Sequence, residues 1–313
     1  MRKPIGSALV FCLLCLLSFA SLADSRLEKQ RKTFALAQQA MDKGNANIYL
    51  QNKKQLRGYP LTPYLTLAEL KSRLASAPDV EVEHFLIENG DLPQARMFKF
   101  EWLKGLASAG KQQSFLKHYS PELNFVELDC HFARFQLESG QLDQAYALAD
   151  KLWMSSTSRP NACDAVFEAW NAAGLRTEDK IWQRLVLAVE ARNYGLARFL
   201  VKEHPQTELA QLLVDVAQKP SLIKNTQQFK KNTPEYRAIA SLGLRRFFRE
   251  DADSTLALLP TYNEALDFSD DEKIRIARDV GVILAKRFDP RAFEVFQVWD
   301  PQLSDVQTAQ WNA

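Results

Sequence analysis

The chain has 313 residues, 46% of them hydrophobic and 25% charged, with a formal net charge of +2. That composition excludes a disordered chain. Two of the positive charges, Arg2 and Lys3, lie in a segment expected to be removed, and the near-neutral remainder excludes a general nucleic-acid binder, which needs surplus positive charge to displace phosphate counterions.

At the N-terminus Arg2 and Lys3 precede an apolar run from Ile5 to Phe19, and Ser21-Leu22-Ala23 places small residues at the −3 and −1 positions. This is the pattern of a cleavable export signal over residues 1–23, cut before Asp24. The alternative, a retained membrane anchor, would need roughly 20 apolar residues. Cys15 follows Leu13 and Leu14 rather than the small residues a lipidation site needs. No later stretch is apolar enough to span a bilayer. Cys12 and Cys15 leave with the signal, so Cys130 and Cys163 remain as one pair. In an oxidising compartment such a pair reads as a disulfide, with two buried thiols as the alternative. Closing a loop of about 33 residues would stabilise the fold by roughly 3–4 kcal/mol in the chain-entropy model.

Helical punctuation recurs along the remaining chain. Gly58-Tyr59-Pro60-Leu61-Thr62-Pro63-Tyr64-Leu65 reads as a Pro-broken loop in which Thr62 caps a helix that Pro63 begins. Glu88-Asn89-Gly90-Asp91, Glu138-Ser139-Gly140-Gln141-Leu142 and Ala191-Arg192-Asn193-Tyr194-Gly195 read as tight helix–helix turns. Ser120-Pro121-Glu122, Thr233-Pro234-Glu235 and Asp289-Pro290 each offer a cap followed by Pro at the first helical position. Ser269-Asp270-Asp271-Glu272 is a capping box, and Asn161 to Asp164 has the same shape.

Between these signals the apolar period is helical. It is clear in Leu142, Ala145, Tyr146, Ala149, Leu152 and Trp153, in Ile181, Leu185, Ala188 and Val189, and in Ala292, Phe293, Phe296 and Trp299. No stretch alternates with period two, so no strands are expected. Short helices in hairpins, about 15 in all, predict an all-α, irregular α-solenoid. No Pro/Gly/Ser-rich linker interrupts residues 24–313, which are read as one domain. Cys130 shares a helix face with Val126, Ala133 and Leu137, and Cys163 one with Phe167 and Trp170. A bridge between them would staple the two helices that flank the one over 142–153.

Recognisable chemistry is sparse. No zinc signature, phosphate-cradling loop or G-x-S-x-G is present, and His84, His118, His131 and His204 are scattered without carboxylate partners at helical spacing. No metal and no cofactor is therefore expected. Leu244-Arg245-Arg246-Phe247-Phe248-Arg249 could touch an anionic polymer. A helix with Phe inward and Arg outward is the favoured reading of that run.

Two stretches are more specific. Gly58 to Leu65, and Arg159-Pro160-Asn161-Ala162-Cys163-Asp164 with Phe167, Trp170 and the upstream Cys130, resemble the N-terminal region of the large soluble lytic murein transglycosylases. There a Y-P-L-x-P-Y-L motif opens the chain and a C…P-N-A-C-D pattern carries a disulfide. The resemblance implies a U-shaped superhelix, a periplasmic setting in a Gram-negative cell, and a Cys130–Cys163 bridge. In that family a C-terminal domain cleaves the β-1,4 bond between N-acetylmuramic acid and N-acetylglucosamine without water, through a catalytic Glu followed by Ser, with G-x-M-Q and N-A-G-P motifs nearby.

Here the sequence ends at Trp311-Asn312-Ala313 without those motifs, and its one Glu-Ser pair is Glu138-Ser139 at a helix turn. No catalytic residue is carried over, and the chain is expected to be inactive alone. Two readings follow: the helical part of such an enzyme, truncated or split from its catalytic half, or a stand-alone scaffold gripping peptidoglycan glycan strands or a partner murein enzyme. An unrelated helical-repeat adaptor would leave both motifs unexplained.

Overall fold

The computed structural model describes residues 25–300. The expected export signal, Cys12, Cys15 and the terminal Trp311-Asn312-Ala313 lie outside them. Regular structure among the described residues is all helical, with sixteen α-helices and no strand. No helix among them is long and apolar enough to cross a membrane.

Two compact units emerge, one up to Leu128 and one from Asp129. The first contains α1 (25–42), α2 (Ala46–Lys54), α3 (Thr62–Ser72), α4 (Asp79–Asn89), α5 (Ala95–Ser108), α6 (Gln112–His118) and a 3-10 turn at Pro121–Leu123. The division falls inside α7 (Val126–Glu138). The second unit continues with α8 (Leu142–Trp153), a 3-10 turn at Asn161–Cys163, α9 (Asp164–Ala172), α10 (Glu178–Glu190), α11 (Tyr194–Glu203) and α12 (Thr207–Gln218). Two more 3-10 turns, Pro220–Lys224 and Thr226–Phe229, lead to α13 (Pro234–Phe247), α14 (Ala252–Ala265), α15 (Asp270–Lys286) and α16 (Arg291–Trp299). Helices adjacent in sequence pack on one another, as in α4 with α5, α8 with α9, α10 with α11, and α15 with α16. Short loops keep these neighbours together, and α10 and α13 pack on non-adjacent helices as well, α10 on α12 and α13 on α15.

Local chemistry explains where many helices start and stop. Thr177, Asn193, Thr233 and Asp251 each accept a hydrogen bond from a backbone N–H in the first turn of α10, α11, α13 and α14. Ser269 and Glu272 form both bonds of the capping box that opens α15. Gly140, at φ +75°, ends α7 in the left-handed region that favours glycine. In the turn at 191–195 the left-handed residue is Arg192, at φ +60°, and Gly195 already belongs to α11.

Several local expectations change. The Thr62 hydroxyl does not cap α3; it donates to the Leu56 carbonyl at 2.8 Å and closes the loop that Gly58 turns. Ser120 opens only a 3-10 turn, which Asn124 ends at φ +52°. Asn161 makes no cap bond, because a 3-10 turn intervenes before α9 starts. Cys163 therefore sits at the end of that turn rather than on the helix with Phe167 and Trp170. Leu142 and Phe293 are exposed at the open first turns of their helices.

In the second unit one continuous apolar cluster runs from Ala133 to Trp299 and encloses Trp170, Phe229 and Tyr262. Tyr262 settles its buried hydroxyl by donating to the Ile223 carbonyl at 2.7 Å. Cys130 and Cys163 are fully buried and joined as a disulfide, with their Cα atoms 4.7 Å apart. In the first unit a smaller cluster gathers Ala37, Ala40, Tyr49, Leu56, Tyr59 and Leu65. Tyr59 and Leu65 of the Pro-broken loop thus serve as core residues.

Candidate functional site

The second unit carries a groove of about 530 Å³ between the end of α8, the loop over 154–160, α9, α10 and α11. Its floor is Trp153, the last residue of α8. The indole Nε1 donates to the Lys180 carbonyl at 3.2 Å, and Phe167 packs edge-on against the ring at 5.3 Å. This fixes an apolar platform whose electron-rich face attracts cations. The Arg184 guanidinium lies 4.1 Å over that ring and the Arg176 guanidinium 5.2 Å from it.

The loop is tied to this floor by side chains. Arg159 Nε donates to the Leu152 carbonyl at 2.7 Å, Arg184 to the Thr157 carbonyl at 3.3 Å, and Asn193 to the Ser156 carbonyl at 3.1 Å. The disulfide adds a covalent anchor where the loop enters α9, one residue before Asp164, which lines the groove. Arg159 and Asp164, at the two ends of the Arg159-Pro160-Asn161-Ala162-Cys163-Asp164 stretch, thus line the groove.

Charge in the groove is unevenly compensated. Arg176 is neutralised by Glu203 at 2.9 Å and held by Asn171 at 3.0 Å. Among the described residues Arg184 has no carboxylate partner and its Nε makes no hydrogen bond; the side chain is 4% exposed. Burial first, and then the charges of Arg159 and Arg176, push its pKa down to about 10. Burial also lowers Arg159, opposed by the charge of Asp129. Both arginines stay cationic at neutral pH. Asp164 and Glu168 also line the groove, and Phe199, 52% exposed, adds an open apolar surface beside Leu196. Such an arrangement can hold and orient an anion. Guanidinium groups are fixed donors and do not exchange protons in a reaction cycle.

Of the residues singled out from sequence, Cys130 and Cys163 meet beside this groove. Arg159 lies in a quoted motif, but its role was not read. Arg176 and Arg184 carried no signal, because only the packing of α9 and α10 brings them to Trp153. The histidines correct an expectation. His84 does have a carboxylate at helical spacing, Glu88 at 3.4 Å, and His118 and His204 lie 3.8 Å from Glu83 and 3.7 Å from Glu178. The latter two also pack against Trp102 and Trp182.

The basic aromatic run is corrected too. Phe247 and Phe248 are buried as expected, but Arg245 and Arg246 also turn inward. Arg245 pairs with Glu190 of α10 and Asp279 of α15, and Arg246 donates to the carbonyls of Val189 and Ala217. Helix termini and carboxylates around α13 supply partners that water would otherwise provide. Glu138, of the Glu-Ser pair, is exposed and bonded to Arg134 at 2.8 Å. Among the described residues no three His, Cys, Asp or Glu side chains gather as a metal-ligand set.

A family model described as Cucumovirus coat protein matches residues 123–229, about a third of the chain. The segment is helical from α7 onward, with no strand to suit the β-sandwich architecture common in viral capsids. Proteins named soluble lytic murein transglycosylase match much more of it. The one from Escherichia coli (strain K12) is 29% identical over 283 residues, 89% of this chain, and the one from Salmonella typhimurium is 30% identical over the same share.

Two solved structures agree. An inactive mutant of the lytic transglycosylase Slt from Pseudomonas aeruginosa superposes over 89% of this chain with a TM-score of 0.82 and 44% identity. A 70-kDa soluble lytic transglycosylase in complex with bulgecin A superposes over 91% with a TM-score of 0.70 and 26% identity. The chain spans 43% of the length of the curated relatives and 46% and 44% of the two structures. It is a homologue of the soluble lytic murein transglycosylases and matches the N-terminal, helical part of these proteins.

Proposed function

We propose that this chain is the periplasmic helical scaffold of a peptidoglycan-acting lytic transglycosylase, giving shape and grip to the system without supplying its catalytic carboxyl group. The observation that carries this reading is the match of 89% of the chain to less than half the length of proteins named for murein cleavage. Export would place the Cys130–Cys163 pair in an oxidising compartment, where the bridge forms and persists.

The test uses the exported chain purified without reductant. It should co-sediment with peptidoglycan sacculi, release no anhydromuropeptides from them, and have an intact mass two protons below that of the reduced form. Release of anhydromuropeptides by the chain alone would end the non-catalytic reading. Failure to bind sacculi would end the grip. A second reading, a stand-alone binding protein, draws on the groove over Trp153, which needs no catalytic partner to hold a ligand. Capture of the chain by a purified full-length lytic transglycosylase, without binding to sacculi, would favour a partner-binding form of it.

A further inference from the structure

We infer that the groove over Trp153 is a binding site for an organic monocarboxylate, its carboxylate held by Arg184 and Arg159 and its body lying on Phe167 and Phe199. Three observations converge. Arg184 is a nine-tenths-buried cation that has no carboxylate partner, and whose Nε has none at all, among the described residues. A buried donor left unpaired is costly, so a ligand oxygen there gains more than it would at an exposed arginine. Charge limits the valence. Arg176 is already neutralised by Glu203, so Arg159 and Arg184 are the cations left to meet a ligand, in a lining that also holds Asp164 and Glu168. A single carboxylate brings one negative charge beside those two acids, whereas a dianion such as phosphate brings more repulsion. Volume sets the size, since about 530 Å³ exceeds what a bare anion fills and lies in the range of small-molecule sites. The exposed Phe199 ring and the half-buried Phe167 offer the organic body an apolar face.

The same chemistry has two sources, a free small carboxylic acid or the lactyl carboxylate of a muramyl sugar. The second source rests on the peptidoglycan reading above; the carboxylate site itself does not. Isothermal titration of the full chain at low salt and pH 7 separates them, with lactate, N-acetylmuramic acid, its methyl ester and inorganic phosphate as probes. N-acetylmuramic acid should bind saturably and its methyl ester at least tenfold more weakly. Arg184→Met should weaken the acid at least tenfold in a chain whose far-ultraviolet circular dichroism is unchanged, although loss of the bond to the Thr157 carbonyl lowers its thermal midpoint. Phe199→Ser, at an exposed position, should weaken N-acetylmuramic acid and leave lactate unchanged.

Lactate binding as tightly as the sugar acid keeps the carboxylate site and removes the muramyl source, whatever sacculi binding shows. Failure of both acids to bind, affinity unchanged in Arg184→Met, or phosphate binding as tightly as the acids would each overturn the proposal.

Discussion

The two units handle charge in opposite ways. In the first, one carboxylate is the hub. Glu69 on α3 accepts from Lys53 at 2.6 Å, Tyr49 at 2.7 Å and Arg73 at 3.3 Å, and Arg73 reaches on to Glu81 of α4. In the second, arginines are the hubs. Arg246 is tied to carbonyls, Arg245 to two carboxylates, and Arg184 to an aromatic ring and a single carbonyl. A carboxylate hub can lose its charge in mild acid, but an arginine hub cannot lose its own, so protons are a lever on the first unit that the second lacks at its centres. Apolar burial differs as well. The large cluster of the second unit should make it depend more on shape than on pairing.

The largest expected effect tests that dependence. Trp170→Ala empties a fully buried site in the second cluster and should cost about 3–5 kcal/mol. It should be read as lost amide-exchange protection in α8 to α10, with protection in α2 and α3 unchanged. Equal loss in both regions would break the comparison. Replacing Cys130 and Cys163 together by Ala should cost about 3 kcal/mol in the second unit by denaturant unfolding. No change against the reduced native chain would be the internal control.

Gly281→Ala should cost about 1–3 kcal/mol, since a Cβ there would lie 2.5 Å from the Phe296 ring on α16. Gly281→Ala combined with Phe296→Leu should recover part of that loss; no recovery would point away from steric overlap.

The smallest effect concerns pH. Burial alone would raise the Glu69 pKa, but hydrogen bonds from Lys53, Tyr49 and Arg73 outweigh it and hold it below the ordinary 4.5. A group whose folded pKa is depressed contributes stability above its unfolded value and loses it as pH falls through the folded one. Protection of α2 and α3 amides should therefore decline below about pH 4.5, by about 1 kcal/mol given the partial exposure of the hub. Glu69→Gln should remove that pH dependence. A slope that persists in the variant would assign it to other carboxylates.

How much was legible follows from the range of each interaction. Helix starts at Thr233 and Ser269 and the stop at Gly140 were readable because a cap or a left-handed glycine acts within three or four residues of itself. The Cys130–Cys163 pairing was suggested by counting and by resemblance. The loop at Gly58 to Leu65 was readable as a loop, but the target of the Thr62 hydroxyl was not, because its acceptor lies six residues away on the far side of the turn.

Arg245 and Arg246 mark the limit. By composition they are surface residues, since long cations are almost never buried unless paired. Their partners, at Glu190, Asp279, Val189 and Ala217, lie roughly 30 or more residues off on helices whose neighbours only the fold assigns.

The sequence by itself determined the helical class, the apolar faces and many of the boundaries, because those follow from backbone bonds and side-chain periods that close over one or two turns. Tertiary structure alone decided the groove. Arg159, Arg176 and Arg184 come from a loop, the α9–α10 connection and α10, and only the packing of those elements against α8 brings Arg176 and Arg184 to one indole ring and Arg159 into the same groove. The energy of a cation there depends on desolvation and on neighbours distant in the chain, and neither is written in local order.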